Sequence, residues 1–341
     1  MSEVLKVFSY GFGTIAGLIV AGIIVFWFIQ DITQKKHSIL RNYPVIGRLR
    51  FFLEKQGEYL RQYFFSSDRD EMPFNRATRS WVYRNAKNEG GIVGFGSTND
   101  VREPGSIIFV NVAFPVLERD RLPTPLQVIG EGYCEHPFYA RSIVNISGMS
   151  YGAISAPAVR ALSLGAAEAG CWLNTGEGGL SPYHLEGGCD LVMQIGTAKY
   201  GIRDHDGNFS PERAKELAQV VKAFEIKLSQ GAKPGKGGLL LGTKVTEEIA
   251  AIRGIPAYHD SISPNRHYDI GNVNELLDKI AYIRDLTGRP VGVKAAIGGW
   301  SFINDLCDAV NRPGFEYAPD FLTIDAVKAA AARRRRRWSI T

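Results

Sequence analysis

Short apolar runs alternate with helix-like segments between Arg141 and Asp325, and glycine-rich stretches punctuate the alternation. Six runs are predicted to be β-strands: Ser142–Ile146, Cys171–Asn174, Asp190–Gln194, Phe224–Leu228, Val291–Ala295 and Phe321–Asp325. Strands that alternate with helices form parallel sheets, because each helix returns the chain to start the next strand in the same direction. A closed barrel of this kind has eight strands. The sequence therefore predicts an incomplete α/β fold of the (β/α)8 TIM-barrel type, with about six of the eight strands.

The helix after the first predicted strand has recognisable ends. Ser155 is a natural N-cap, Pro157 falls in the first turn where its missing N–H costs nothing, and Gly170 ends the apolar run. Further helices are predicted after Ser210-Pro211, near Thr246, from Asn272 to Thr287 and from Ser301 to Asn311.

An uncharged segment, Gly11–Ile29, precedes the α/β region. At about 1.5 Å per helical residue it nearly spans a hydrocarbon core of about 30 Å. Basic residues crowd its C-terminal side, whereas Lys6 alone lies on the other side: Lys35, Lys36, Arg41, Arg48 and Arg50. Positive flanks stay in the cytoplasm. One transmembrane helix at about residues 10–30 is therefore predicted, with the main domain cytoplasmic, and a cleaved signal peptide is the alternative.

Charge and cysteine content limit the classes of partner. The net charge of +5 is matched by the five arginines of Arg333–Arg337, so the remaining chain is close to neutral and no nucleic-acid partner is predicted. The cysteines lie far apart without metal-ligand spacing, and are interpreted as buried thiols of a reduced compartment: Cys134, Cys171, Cys189 and Cys307. His184, His205, His259 and His267 also lack metal spacing, so no metal site is predicted.

The predicted organisation has four parts. Residues 1–35 form a membrane anchor, 36–140 a membrane-proximal aromatic and basic region, 141–325 a partial barrel, and 326–341 an atypical tail rich in Ala and Arg. Helix-like spacing around Val45–Tyr63 indicates an amphipathic hairpin near the membrane. The basic aromatic patches of the second part are interpreted as solvated or lipid-facing.

Polar and glycine-rich segments follow the predicted strands. They are Asn174-Thr175-Gly176-Glu177-Gly178-Gly179, Gln194-Ile195-Gly196, the loop Gln230–Gly238, and Lys294. The carboxyl ends of parallel barrel strands meet at one rim, and glycines there let backbone N–H groups approach a flat or anionic ligand. A cofactor-binding rim is therefore predicted.

Four motifs in order resemble the FMN-binding domain of glutamate synthase, particularly its membrane-anchored stand-alone relatives. The motifs are NISGMSYG from Asn145, NTGEGG from Asn174, QGAKPGKGG from Gln230 and SPNRHYDI from Ser263, within a resemblance that covers about Ser142–Asp325. The resemblance implies a (β/α)8 barrel that binds FMN and receives electrons from an iron–sulfur cluster. It also implies reduction of 2-iminoglutarate, formed from 2-oxoglutarate and ammonia, to L-glutamate.

The resemblance assigns roles to individual residues. The Met149-Ser150 backbone would face the flavin ring, and Asn174, Gln194 and Lys294 would bind its polar edge. A cation such as Lys294 stabilises an anionic reduced flavin. The alternative for Lys294 is a buried ion pair inside the barrel.

Substrate roles fall on three other residues. Lys233 and Lys236 would bind the carboxylates of 2-oxoglutarate, and Lys233 and Glu177 are the candidate catalytic residues. The alternatives are a flexible basic turn for the lysines and an exposed loop carboxylate for Glu177. The sequence carries no Rossmann fingerprint and no N-terminal cysteine for glutamine hydrolysis, so ammonia and electrons are expected from solution or from a donor protein or separate reductase subunit.

The tail departs from the family pattern. Family members continue from Thr-Ile-Asp into a glycine-rich loop, further strands and cysteines that bind a 3Fe-4S cluster, whereas Thr323-Ile324-Asp325 runs into AVKAAAARRRRRWSIT. A truncated or frameshifted chain with impaired activity is the hypothesis, and a basic tail that binds anionic lipid is its alternative. Two other functions stay open: another FMN-dependent barrel oxidoreductase, and a non-catalytic membrane-anchored remnant.

Overall fold

The computed structural model describes residues 3–34, 37–60, 64–65, 69, 74–89, 102, 112–120, 126–230, 237–311, 314 and 317–325. The chain divides into two units, Met1–Phe109 and Val110–Thr341. The first unit contains the helices α1 (Glu3–Thr33), α2 (Ser38–Asn42), α3 (Ile46–Leu60) and α4 (Arg76–Ala86). The predicted tail at 326–341 and the substrate loop at 231–236, with Lys233 and Lys236, lie outside the described residues.

Helix α1 contains the predicted membrane segment. Among the described residues, Gly11–Thr33 is the one helical stretch long and apolar enough to cross a membrane, and none of residues 11–30 is buried. At its C-terminal end the buried Asp31 accepts hydrogen bonds from the Arg48 side chain at 2.6 Å and the Val45 N–H at 2.9 Å. The Arg48 guanidinium also lies 5.1 Å from the centre of the Trp27 ring. These contacts tie the start of α3 to the end of α1.

The second unit begins with a hairpin of two antiparallel strands, β1 (Gln127–Ile129) and β2 (Phe138–Ala140). Alternating helices and strands follow: α5 (Ala156–Ala169), β3 (Leu173–Asn174), α6 (Pro182–Leu185), β4 (Leu191–Ile195), α7 (Pro211–Ala218), β5 (Ala223–Lys227), β6 (Leu239–Leu240), α8 (Glu247–Arg253), β7 (Ser261–Ile262), α9 (Val273–Thr287), β8 (Val291–Ala295), α10 (Ser301–Asn311) and β9 (Leu322–Ile324). The predicted helices are confirmed.

The main sheet is parallel, with the strand order β3-β4-β5-β8-β9. It curls into a half-barrel, so the unit is a mixed α/β fold consistent with a partial TIM-like barrel. Five of the six predicted strands are present. The prediction of a strand at Ser142–Ile146 was wrong, because only Ile146 pairs with the sheet, through an isolated bridge to Leu173.

Polar side chains explain the missing strand. Ser142 Oγ donates to the Val144 carbonyl at 2.7 Å and accepts from the Val144 N–H at 3.1 Å, which forms a local turn. Asn145 donates from its side chain to the Ser142 carbonyl at 2.9 Å. These bonds compete with a strand ladder for the same backbone groups. Ile143 and Val144 are consequently exposed, although the sequence predicted them in a barrel strand.

The two faces of the sheet differ. One face packs apolar side chains against α7 and α9: Met193, Ile195, Phe224, Ile226, Val291 and Val293 with Ala214, Leu217, Leu276 and Ile280. On the opposite face, the hairpin residues Phe138 and Ala140 pack with Val192, Ala223 and Phe321 near the amino ends of the strands. A Cβ at Gly292 would overlap the Phe321 ring, so glycine makes room for this aromatic side chain. The hairpin therefore closes the amino end of the opposite face.

Candidate active site

A layer of polar side chains lies on the face of the sheet that packs against Phe138. This layer begins two residues beyond Val192, toward the carboxyl ends of the strands. Its centre is Glu225 on β5, which is 1% exposed. Glu225 Oε1 accepts hydrogen bonds from Asn174 Nδ2 at 2.9 Å and Gln194 Nε2 at 2.6 Å. Glu225 Oε2 accepts from Thr323 Oγ1 at 2.6 Å. We call Asn174, Gln194, Glu225 and Thr323 the amide–carboxylate layer.

Two lysines follow at the carboxyl edge. Lys227 and Lys294 are register partners on β5 and β8, so their side chains share the face of Glu225. Lys227 Nζ lies 3.0 Å from Glu177 Oε2 and donates to Gln230 Oε1 at 2.7 Å. Lys294 Nζ lies 3.7 Å from Asp325 Oδ1, which is beyond hydrogen-bond distance. Within the described part of the chain, Lys294 Nζ has no hydrogen-bond partner, although Lys294 is 8% exposed.

The rim loops approach the amide–carboxylate layer through glycines. A Cβ at Gly148 would lie 2.7 Å from Asn174 Oδ1 and 2.9 Å from Gln194 Nε2. Gly176 adopts a φ of +68°, its N–H donates to Asn174 Oδ1 at 2.9 Å, and a Cβ there would lie 2.7 Å from the Met149 carbonyl carbon. Only glycine fits both positions without displacing a neighbour. The loop with Met149 and Ser150 is therefore stacked on the loop that follows β3.

A small cavity of about 50 Å³ lies beside the Lys227–Glu177 pair. Its lining includes Glu177, Thr197, Lys227, Gln230 and Asn265. The buried His267 fixes this wall, because its Nε2 lies 3.0 Å from the Lys227 carbonyl oxygen. Burial lowers the pKa of His267, so the imidazole is neutral and donates this hydrogen bond.

Arg253 is a further buried cation next to the rim. It lies at the end of α8 and donates to Ser261 Oγ at 3.0 Å and to the Tyr151 carbonyl at 3.2 Å. Its guanidinium is 5.0 Å from the centre of the Tyr200 ring, and burial lowers its pKa. Arg253 thereby links α8 to the loop that contains Ser150.

The structure brings together most of the residues predicted from the sequence. Asn174, Gln194 and Lys294 share one face of the sheet, and Glu177 lies across the rim from them. Asn174 and Gln194 are 2% and 1% exposed beneath Gly148, so they support the rim loop as well as facing the site. Lys294 lies in a buried ion pair with Asp325, which was the alternative interpretation, and its role toward a flavin stays a prediction.

Three central residues were missed. Glu225 and Lys227 lie in the run Ala-Phe-Glu-Ile-Lys, which was interpreted only as a strand, and Arg253 lies in a helix without a motif. The signal that could have revealed Glu225 and Lys227 is their spacing of two, which places both on one face of a buried strand.

The fold and the site define an α/β protein of partial TIM-barrel type whose polar residues gather at the carboxyl ends of parallel strands. The chain belongs to the glutamate synthase family, because residues 110–325 match the family described as the conserved region in glutamate synthase.

The relatives agree with this assignment. The chain is 41% identical over 353 residues to the glutamate synthase large subunit-like protein YerD of Bacillus subtilis (strain 168), which covers 91% of this chain and 66% of that protein. It is 38% identical over 155 residues to the archaeal-type glutamate synthase (NADPH) of Thermotoga sp. (strain RQ2), covering 45% of this chain and 28% of that enzyme. A glutamate synthase large subunit-like protein of Rhizobium meliloti (strain 1021) is 34% identical over 207 residues, covering 60% of this chain and 43% of that protein. The chain thus spans about two thirds of the first relative and less than half of the other two.

Proposed function

We propose that this chain is a glutamate synthase-like oxidoreductase that uses FMN to convert 2-oxoglutarate and ammonia to L-glutamate through 2-iminoglutarate. The observation that carries the proposal is Lys294, whose largely buried side chain ends at the carboxyl edge of a parallel sheet, 3.7 Å from Asp325 Oδ1 and without a hydrogen-bond partner among the described residues. An ammonium group has three N–H donors, so Lys294 can still donate hydrogen bonds to the acceptors of a bound ligand. Family membership points to the same reaction.

The residues at the rim fit the polar edge of a flavin. Lys294 would donate to a ring oxygen, Asn174 and Gln194 would contribute amide groups, and the Met149-Ser150 backbone would lie against the ring. The glycines at 148 and 176 support this assignment because they let the two rim loops pack closely at this edge. FMN, when bound, supplies the capacity to accept electrons and pass them to a substrate. Lys294 would stabilise negative charge on the ring by a fixed, water-poor positive charge.

The dicarboxylate would bind beside the flavin edge. Lys227 and Arg253 supply buried positive charge there, and the predicted ligands Lys233 and Lys236 belong to the loop that starts directly after Gln230. Glu177 Oε2 is within 3.0 Å of Lys227 Nζ, so a proton can pass between these groups. Glu177 and Lys233 are the proposed proton-transfer groups for amination. An iron–sulfur protein or a separate reductase subunit would deliver the electrons.

The proposed location is the membrane, with α1 as a single span and the second unit in the cytoplasm. The support is the apolar, exposed surface of Gly11–Thr33 and the basic residues that follow it. Helix α3 would lie at the membrane surface, because it exposes Ile46, Leu49 and Phe52 and is tied to α1 through Arg48.

Flavin titration of the purified full-length chain tests the proposed reaction. We expect FMN to bind at a ratio near one, and the reduced flavin to reoxidise without oxygen only when ammonia and 2-oxoglutarate are both present, with glutamate as product. Lys294→Met should weaken FMN binding by about tenfold or more, since it removes a charge-assisted hydrogen bond worth about 1.5–3 kcal/mol. Lys215→Met, on the exposed face of α7, is the matched control and should bind as the wild type does.

Two outcomes separate the alternatives. Reoxidation by an electron acceptor unrelated to 2-oxoglutarate would indicate another FMN-dependent oxidoreductase. Failure of the folded chain to bind FMN would reject the proposed reaction and favour a non-catalytic membrane protein.

A further inference from the structure

Glu225 connects the sheet to both rim loops through side chains that it orients. Its carboxylate lies on the central strand β5 and accepts hydrogen bonds from three other strands: Asn174 of β3, Gln194 of β4 and Thr323 of β9. A carboxylate accepts and does not donate, so both amides must turn their NH₂ groups toward it. The amide oxygens are consequently directed away from Glu225.

The oriented amide groups of Asn174 and Gln194 contact the rim loops directly. Asn174 Oδ1, turned away from Glu225, accepts the Gly176 N–H at 2.9 Å. The Gly148 backbone packs on Asn174 Oδ1 and Gln194 Nε2. Gly176 in turn packs against the backbone of Met149 and Ser150. One carboxylate thus controls the support of the loop at 148–150 and the loop at 174–179.

A buried acid is a costly way to hold a sheet together. Glu225 is 1% exposed, and burying a carboxylate costs several kcal/mol before its hydrogen bonds compensate. The next inward-facing residue toward the amino end, Ala223, belongs to an apolar cluster, so the face can be packed without charge. Apolar replacement of buried ionic groups is often neutral or stabilising. Stability alone therefore does not account for an acid at position 225.

We infer that Glu225 is a positioning residue that acts through Asn174 and Gln194 to hold the two glycine-containing rim loops in their ligand-binding arrangement. This role depends on the length of the Glu225 side chain, which brings the acceptor Oε1 within hydrogen-bond distance of both amides. It does not depend on the negative charge of the carboxylate. The expected effect of Glu225 substitutions on FMN affinity rests on the proposed function. Their expected effect on the two rim loops does not.

Two conservative substitutions separate reach from charge. Glu225→Gln removes the charge but keeps the length and one acceptor oxygen for both amides, while its NH₂ would donate to Thr323 Oγ1 and so reverse that hydrogen bond. Glu225→Asp keeps the charge but is one methylene shorter, which withdraws the acceptor from both amides. The first readout is hydrogen exchange of the full-length, ligand-free chain, which reports the Gly176 N–H directly.

We expect Glu225→Asp to accelerate exchange at Gly176 and residues 148–152 by about tenfold or more while β4 and β8 stay protected. Glu225→Gln should stay within about threefold of the wild type, because the hydrogen bonds from both amides are kept. Unchanged loop exchange in Glu225→Asp, or equal loosening in both variants, overturns the inference. Should Glu225→Asp fail to fold, Glu225→Gln decides alone: protected loops support the inference and loosened loops overturn it.

FMN titration is the second readout. Glu225→Asp should weaken FMN binding by about tenfold or more, and Glu225→Gln by less than about threefold. If the wild type binds no FMN, the proposed function fails, whereas loop exchange still decides the role of Glu225. If the wild type binds FMN and Glu225→Asp binds it equally well, the positioning role is rejected and the proposed function stands.

Discussion

His184 is a residue whose titration is changed mainly by burial. It is fully buried at the third position of α6, where Nδ1 accepts the Ser181 N–H at 3.0 Å and lies 2.8 Å from Ser181 Oγ. Burial lowers its pKa from 6.5 to about 4. The unfolded chain therefore binds a proton at a pH where the folded protein does not, and acid favours unfolding through this residue.

We predict that His184 contributes stability that is fully present above about pH 6.5 and is lost as the pH falls to about 4. A shift of this size corresponds to about 3 kcal/mol. His184→Gln keeps an acceptor for the Ser181 N–H but does not titrate, so its stability should fall less steeply over this pH range. Chemical unfolding of both proteins between pH 4 and 8 measures the difference, and parallel curves would contradict the prediction.

At the scale of elements, the sequence predicted those strands and helices whose patterns were local. Helix α9 runs from Val273 to Thr287 with Asn272 as N-cap and Gly288 in the left-handed conformation, close to the prediction. The strand at Ser142–Ile146 failed because side-chain hydrogen bonds, which an apolar pattern does not reveal, hold the backbone in a turn.

The sequence predicted several residues of the site but not the hydrogen bonds that join them. Glycine-rich segments and strand ends identified Asn174, Gln194 and Lys294. The link between them is Glu225, whose partners are distant in sequence, and only the strand order β3-β4-β5-β8-β9 brings them together. Sheet register is not encoded locally, so these contacts could not be derived from the sequence.

The prediction at the scale of elements concerns insertion of helix α1 into a membrane. If it spans a membrane, Ile23→Arg should weaken insertion, because a charge near the centre of a span costs about 2.5–3.5 kcal/mol. Ile143→Arg, at an exposed position of the second unit, is the control and should leave α1 inserted. Alkaline carbonate extraction of cell membranes reports the difference. Release of the wild-type chain by this wash would contradict a transmembrane α1.

At the scale of the whole molecule, the hairpin β1–β2 belongs to the core of the second unit. Phe138 and Ala140 pack with Val192 and Ala223, and the His136 N–H donates to the Gly288 carbonyl at 2.8 Å. These contacts connect the hairpin to three separate parts of the α/β region. The hairpin therefore belongs to the second unit, although the sequence predicted it to lie in the region before the barrel.

We predict that Phe138→Ala lowers the free energy of unfolding by about 3–5 kcal/mol, the usual cost of removing a buried phenylalanine ring. Phe138 is 3% exposed, whereas its neighbour Tyr139 is 57% exposed. Tyr139→Ala is therefore the matched control and should change stability by about 0.5 kcal/mol or less. Denaturant unfolding of the full-length chain distinguishes the two, and equal effects would show that the hairpin does not contribute to the core.

The position of the hairpin also sets an order of events during translation. The ribosome completes β1 and β2 before it makes β4, β5 or the segment with Phe321, all of which the hairpin contacts. An isolated two-stranded hairpin is at best marginally stable in water. The nascent hairpin therefore gains its complete set of native neighbours only after Phe321 has emerged, although β1 and β2 are the first strands described in this unit.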